Sequence, residues 1–203
     1  MKLLALDAMG VMYRARDDVA ELLIPFIRNR IAVSDGRVLE LYLQCCQGEF
    51  SSAVFWQRIG LSPAVEDDYL GGHSLVHGVK EFVAQARTYF DAVWCLSNDI
   101  SEWSKKLRQK FALENVFDGF IISGDVKSMK PNPEIYQALL AAAHVNPGDV
   151  VFIDDRRKNV RAALDLGMES ILFGKHATSV EGFRCAENYA ELKALLFKKT
   201  DKH

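Results

Sequence analysis

The chain has 203 residues, 49% of them hydrophobic and 26% charged, with a formal net charge of −2. That length suits one α/β domain, or a core domain carrying an insertion, and it can bury a core without disulfide or metal staples. The balanced charge excludes the basic footprint of a nucleic-acid binder and the attraction of a cationic protein to an anionic membrane, and no apolar run approaches a membrane span. Asp7 interrupts the N-terminal apolar stretch after a few residues, so no signal peptide is expected. Cys45, Cys46, Cys95 and Cys185 show no metal-ligand spacing. They are expected to be reduced and mostly buried, in a cytoplasmic setting.

The first predicted element is a buried strand over residues 3–6, followed by Asp7 and, three residues later, Gly10. An acid at a strand end before a glycine turn lies at the carboxyl edge of a sheet, where open α/β sheets bind ligands. Residues 17–30 carry apolar positions at helical spacing, with Pro25 expected to kink or interrupt the run. Ser34-Asp35 caps a second helix to about Gln47, whose stripe of Val38, Leu39, Leu41, Tyr42, Leu43 and Cys45 is expected to be core-facing. Ser51-Ser52 starts a third helix closed by Gly60, and Ser62-Pro63 a fourth ending near Gly71-Gly72. Residues 14–75 therefore read as an all-helical insertion.

From residue 77 the pattern alternates. Helices are expected over 79–89, 100–110, 133–143, 158–166 and 186–197; strands over 92–96, 119–123, 150–153 and 169–173; and a solvated tail over 198–203. Alternation of this kind predicts a doubly wound parallel sheet. Strand ends then present Asp7, Ser97-Asn98 and Asp154-Asp155 at one edge, with Lys130 in the loop after the 119–123 strand. Carboxylates gathered there repel by roughly 4 kcal/mol per pair at about 4 Å and an effective dielectric near 20, so the cluster requires a cation or shifted pKa values. Oxygen ligands without His or Cys favour Mg²⁺ over zinc.

In order, Asp7-Ala8-Met9-Gly10-Val11, the WCLSN run ending at Asn98, KSMKPNPEIY and VVFIDDRRKNV resemble the four motifs of the haloacid dehalogenase-like hydrolase superfamily. The resemblance implies a Rossmann-like catalytic core over 1–13 and 76–203, with residues 14–75 as the helical cap domain. It implies that Asp7 is the nucleophile of a covalent aspartyl intermediate, with Ser97 and Asn98 binding the oxygens of the transferring group. Lys130 would balance charge, and Mg²⁺ would be held by Asp7, the backbone carbonyl of Met9, Asp154 and Asp155. Asp155 reaches the site only if the chain has left the strand, since adjacent strand residues face opposite ways. The implied activity is hydrolysis of a small phosphorylated metabolite, without nucleic-acid or membrane partners; oligomeric state is not legible.

Met9 departs from the family pattern. Phosphatases of the family carry a second Asp there as general acid and base, and a methionine can do neither. Acid–base catalysis contributes typically about 10²–10⁴-fold, or roughly 2.7–5.5 kcal/mol of barrier, so alkyl phosphates should turn over slowly and acyl or aryl phosphates less so. Two other readings follow: a protein that binds metal and a small anion without turnover, and a halide-releasing hydrolase. The second is disfavoured because the Asp154-Asp155 pair resembles the metal-binding fourth motif. No lysine lies between Lys2 and Lys80, so a Schiff-base cap lysine is excluded. Arg14, Arg16, Gln44, Glu49, Trp56, His73 and His77 are candidate substrate contacts from the insertion. Trp56 is expected to be core, and His73 and His77 solvated.

Overall fold

The computed structural model describes residues 1–175 and 182–197. Strand β1 (Leu3–Leu6) is followed by a π-helical turn at Val19–Leu23 that runs directly into α1 (Ile24–Arg28). Pro25 falls in the first turn of α1, where a missing N–H breaks no helical bond, so the run is rewound rather than interrupted. Then come α2 (Asp35–Cys46), α3 (Ser52–Ile59), α4 (Glu66–Gly71) and α5 (Val79–Ala86). Ser34 and Ser51 cap α2 and α3 by accepting from Arg37 N and Val54 N, as their positions predict.

The second half alternates: β2 (Ala92–Ser97), α6 (Ser101–Lys110), β3 (Gly119–Ile122), α7 (Ser123–Val126), α8 (Pro133–Ala143), β4 (Val150–Asp154), α9 (Arg157–Asp165), β5 (Glu169–Phe173), β6 (Arg184–Ala186) and α10 (Tyr189–Leu196). The six strands form one parallel sheet in the order β3-β2-β1-β4-β5-β6. This is the α/β doubly wound arrangement expected. All four residues of β1 are buried, as a central parallel strand requires. Strand order reverses beside β1, which opens a crevice at the carboxyl ends of β1 and β4. No helix among the described residues is long and apolar enough to cross a membrane.

Several expectations need correction. Residue 186 belongs to β6, pairing with Phe173, and the last helix begins only after Asn188, whose side chain accepts from Ala190 N and Glu191 N. The expected end of the 119–123 strand is instead α7, because Ser123 Oγ is tied to both polar main-chain atoms of Asp99. The helix expected over 79–89 ends at Ala86. Leu39 and Leu43 are 45% and 39% exposed rather than core; at 100° per residue they stand about 100–140° around α2 from Val38. His73 is buried, edge-on to the rings of Tyr13 and Tyr69, and burial lowers its pKa to about 4. The 198–203 tail lies outside the described residues. The four cysteines are free thiols, all but Cys185 buried, and Trp56 is core.

The helices between β1 and α5 are joined to the α/β layer by a buried aromatic cluster. Trp103 of α6 packs against Phe55, Trp56 and Tyr69 at centroid distances of 5.4, 5.5 and 4.7 Å. Glu66 Oε2 accepts from both Trp56 Nε1 (3.1 Å) and Trp103 Nε1 (2.8 Å), and Oε1 pairs with Lys106 at 2.9 Å. One carboxylate therefore satisfies two buried indoles from different parts of the fold. Glu66→Ala orphans both donors and is expected to cost about 3 kcal/mol, whereas Glu66→Gln keeps an acceptor and should cost less. Equal denaturant midpoints for the alanine variant and the wild type would count against this role.

Candidate active site

Asp7 directly follows β1, and its main-chain N–H donates to Ile153 O of β4 at 2.9 Å. Its Oδ1 accepts from Ala8 N (2.7 Å) and pairs with Lys130 Nζ (2.7 Å), leaving Oδ2 as the oxygen without a donor among the described residues. Lys130 is 3% exposed. The three N–H bonds of its ammonium are matched by three acceptors at 2.7 Å: Asp7 Oδ1, Asp154 Oδ2 and Leu96 O. The Asn98 side chain holds the Lys130 main chain at both ends, Nδ2 donating to its carbonyl (2.9 Å) and Oδ1 accepting from its N–H (2.7 Å). Ser97 ends β2 fully buried, and its Oγ has no partner.

Strand β4 ends at Asp154, so the chain has left the strand when it reaches Asp155, and both acids come to the site. Their situations differ. Both oxygens of Asp154 are occupied, Oδ1 by Arg156 N (2.7 Å) and Asn159 Nδ2 (3.1 Å), Oδ2 by Lys130 and Asn159. Asp155 Oδ2 accepts from Arg16 Nε at 2.9 Å, while its buried Oδ1 accepts no hydrogen bond and has Arg156 Nε 3.5 Å away. Gly10 sits at φ +75° against this carboxylate, and a Cβ there would stand 2.5 Å from Asp155 Oδ2. Only glycine combines that backbone with that approach.

Oxygens of Asp7, Asp154 and Asp155 lie within 4.8 Å of one another. Burial first, then the Asp154 carboxylate, pushes Asp7 well above the ordinary carboxylate range, against the pull of Lys130. Asp155 is raised by burial and Asp154 in the same way, with Arg16 opposing. Burial works against the Lys130 ammonium, yet Asp154 and Asp7 outweigh it and raise its pKa. Lys130 pairs with Asp7 and Asp154, and Asp155 with Arg16 and Arg156. An Asp155 oxygen that accepts no hydrogen bond among the described residues and an all-oxygen donor set match a hard divalent cation such as Mg²⁺.

Asp7, Met9, Asn98, Lys130 and Asp155 all line one cavity of about 260 Å³, whose remaining walls include Arg16, Asp18, Leu39, Tyr42, Leu43 and Arg156. Ser97 and Asp154 lie behind that lining. Of the candidate contacts from the helical insertion, Arg16 reaches the cavity; Arg14, Gln44, Glu49, Trp56, His73 and His77 do not line it. Asn159, Arg156, Asp18 and the α2 side chains were not assigned to the site from sequence. The over-wide apolar stripe of α2 was the available signal for Leu39 and Leu43.

A family model described as haloacid dehalogenase-like hydrolase matches residues 1–167. The chain is 40% identical over 68 residues to mouse bifunctional epoxide hydrolase 2, covering 34% of this chain and 12% of that protein. It is 38% identical over 63 residues to a phosphorylated carbohydrates phosphatase of Thermotoga maritima, covering 31% and 29%. These alignments span less than half the length of the curated relatives. A Bacteroides thetaiotaomicron HAD family enzyme, solved with magnesium and inorganic phosphate, superposes with a TM-score of 0.72 at 22% identity, over 90% of this chain and 98% of that one.

One wall group titrates unusually. Asp18, 6% exposed and hydrogen-bonded by Tyr42 (3.3 Å) and Tyr69 (3.5 Å), is pushed up to about 6 by burial and by Asp17. The folded state keeps this proton where the unfolded state has lost it, so its contribution is complete below the unfolded value of 3.8 and disappears as pH rises through 6. Asp18→Asn should therefore gain stability over the wild type between about pH 4 and 6, reaching up to about 3 kcal/mol above that. Parallel stability–pH curves for the two proteins would exclude it.

Proposed function

The chain belongs to the haloacid dehalogenase-like hydrolase family, and from that membership we propose a magnesium-dependent phosphatase that acts on a small phosphorylated metabolite through Asp7. In this reading residues 14–75 are a cap over a core formed by 1–13 and 76–203, and the protein works in the cytoplasm. The observation that carries the proposal is the Asp7 carboxylate, which lines the cavity and is pinned at Oδ1 by Lys130 and Ala8, leaving Oδ2 without a donor among the described residues. The naming of the Thermotoga maritima relative as a phosphatase and the magnesium–phosphate complex of the Bacteroides enzyme support the substrate class and the metal.

Asp7 Oδ2 attacks phosphorus, forming a P–O bond as the bond to the leaving oxygen breaks and its electrons depart with that oxygen. Water then attacks the aspartyl phosphate, releases inorganic phosphate and restores the carboxylate. Lys130 favours the ionised form of Asp7, opposing burial and Asp154, and holds it in place. Asp7, the Met9 carbonyl and the free oxygen of Asp155 would hold Mg²⁺, with Asp154 anchoring Lys130 beside them; bound there, the ion supplies positive charge to phosphate oxygens as they gain negative charge. Asn98 serves the anion-binding end by fixing the Lys130 loop, whereas Ser97 is buried outside the cavity lining.

Met9 lines the cavity without a transferable proton, so this position gives a leaving group no assistance. The same residue favours a second reading, a metal-and-anion binder without turnover. Phosphate release from aryl, acyl and sugar phosphates separates the two. We expect Mg²⁺-dependent release, fastest for the aryl and acyl esters and abolished in Asp7→Asn. No release from any ester, in protein that still binds Mg²⁺, would establish the binder. Met9→Asp, if folded, should raise alkyl phosphate turnover by about 10²-fold or more; an unchanged rate would mean that proton transfer is not what the site lacks.

A further inference from the structure

Four large hydrophobic side chains are exposed among the described residues: Met1, Leu39, Leu43 and Tyr89. Two of them, Leu39 and Leu43, line the cavity that holds Asp7. They are four residues apart on α2 and so stand one above the other on a single face. Val19, Met9 and Tyr42 continue this apolar wall. Leucines turned toward water are commonplace singly; a pair lining the same cavity as Asp7 is a surface open to apolar cover.

The two guanidiniums of the lining are already engaged, while the exposed Lys158 also lines the cavity. Arg16 is bonded to Asp155, and Arg156 reaches Asp155, the Arg16 carbonyl at 2.6 Å and Asp17 at 3.7 Å. Neither guanidinium is free to take a second anionic group of a substrate. Sugar hydroxyls placed against the two leucines would lose water without replacement, which disfavours them on that part of the lining. At about 260 Å³ the cavity is smaller than the roughly 300–1,000 Å³ of drug-sized sites, so it suits a phosphate with one small group attached.

We propose that the substrate is an aryl phosphate whose single ring lies against Leu39 and Leu43 while its phosphate faces Asp7. The inference rests on the phosphatase reading and narrows it. A phenolic leaving oxygen is also the kind that departs without the proton Met9 cannot give, so wall and chemistry select the same molecule.

Binding of non-hydrolysable phosphonates tests the wall without turnover. Calorimetric titration of the full chain with Mg²⁺ should give a phenylphosphonate Kd about tenfold below that of methylphosphonate, equivalent to about 1.4 kcal/mol. Leu39→Gln and Leu43→Gln, both exposed and therefore tolerated by the fold, should each shrink that ratio, and the double variant should bring it to about one. Equal affinities in the wild type, or a preference the double variant retains, would overturn the proposal. So would a double variant that changes the oligomeric state yet keeps its selectivity, since the leucines would then cover a protein interface. Failure of the phosphatase reading looks different: the phosphonate ratio holds while no phosphate ester turns over. If neither phosphonate binds, the anion site and this proposal fall together.

Discussion

A single buried ammonium organises the candidate site. Lys130 Nζ meets Asp7 after β1, Asp154 at the end of β4 and the Leu96 carbonyl in β2, so one cation ties together three neighbouring strands of the sheet. With two of its three contacts to carboxylates, the charge is compensated where water is absent, which is the condition under which a buried lysine stays ionised. The arrangement also divides labour between adjacent acids. Asp154 is saturated by hydrogen bonds and holds Lys130, whereas Asp155 keeps an oxygen that accepts no hydrogen bond among the described residues. Two chemically identical residues in sequence thus acquire different capacities from the strand end between them.

The helices inserted after β1 are tied to this edge by two kinds of contact. Deep in the fold, Glu66 and the indoles of Trp56 and Trp103 join α3, α4 and α6. At the cavity, Arg16 grips Asp155 and Arg156 grips the Arg16 carbonyl, crossing between the segment after β1 and the loop after β4. Catalytic geometry tolerates little looseness, and these bonds hold the walls in register with Asp7. The lining they hold is mixed, with paired guanidiniums and leucines both contributing to it. Met9 lies among them, apolar where the family's phosphatases carry an acid.

Most elements were readable because their signals are local. Ser34 and Ser51 mark helix starts, and the alternation from residue 77 specifies a parallel sheet. The misreadings came where a distant partner decides. Ala186 follows Phe173 into the sheet because β5 offers an edge. His73 is buried because Tyr13 and Tyr69 enclose it from separate segments. Leu39 and Leu43 were assigned to the core because hydropathy does not tell a core face from a cavity wall, and the width of the α2 stripe hinted at the difference without resolving it.

By itself the sequence determined which chemical groups are available: carboxylates at strand ends, Lys130 in the loop after β3, no second acid at position 9, and the four motifs that resemble the family. These follow from residue type, order and short-range periodicity, which are properties of the chain alone. Only the tertiary structure decided how those groups are used. That Asp155 rather than Asp154 keeps a free oxygen, that Asn98 clamps Lys130, that Arg16 reaches the site and Arg14 does not, and that two leucines face a cavity all depend on contacts between residues far apart in sequence. Burial, hydrogen-bond saturation and charge compensation arise when those segments meet, and no local pattern encodes them.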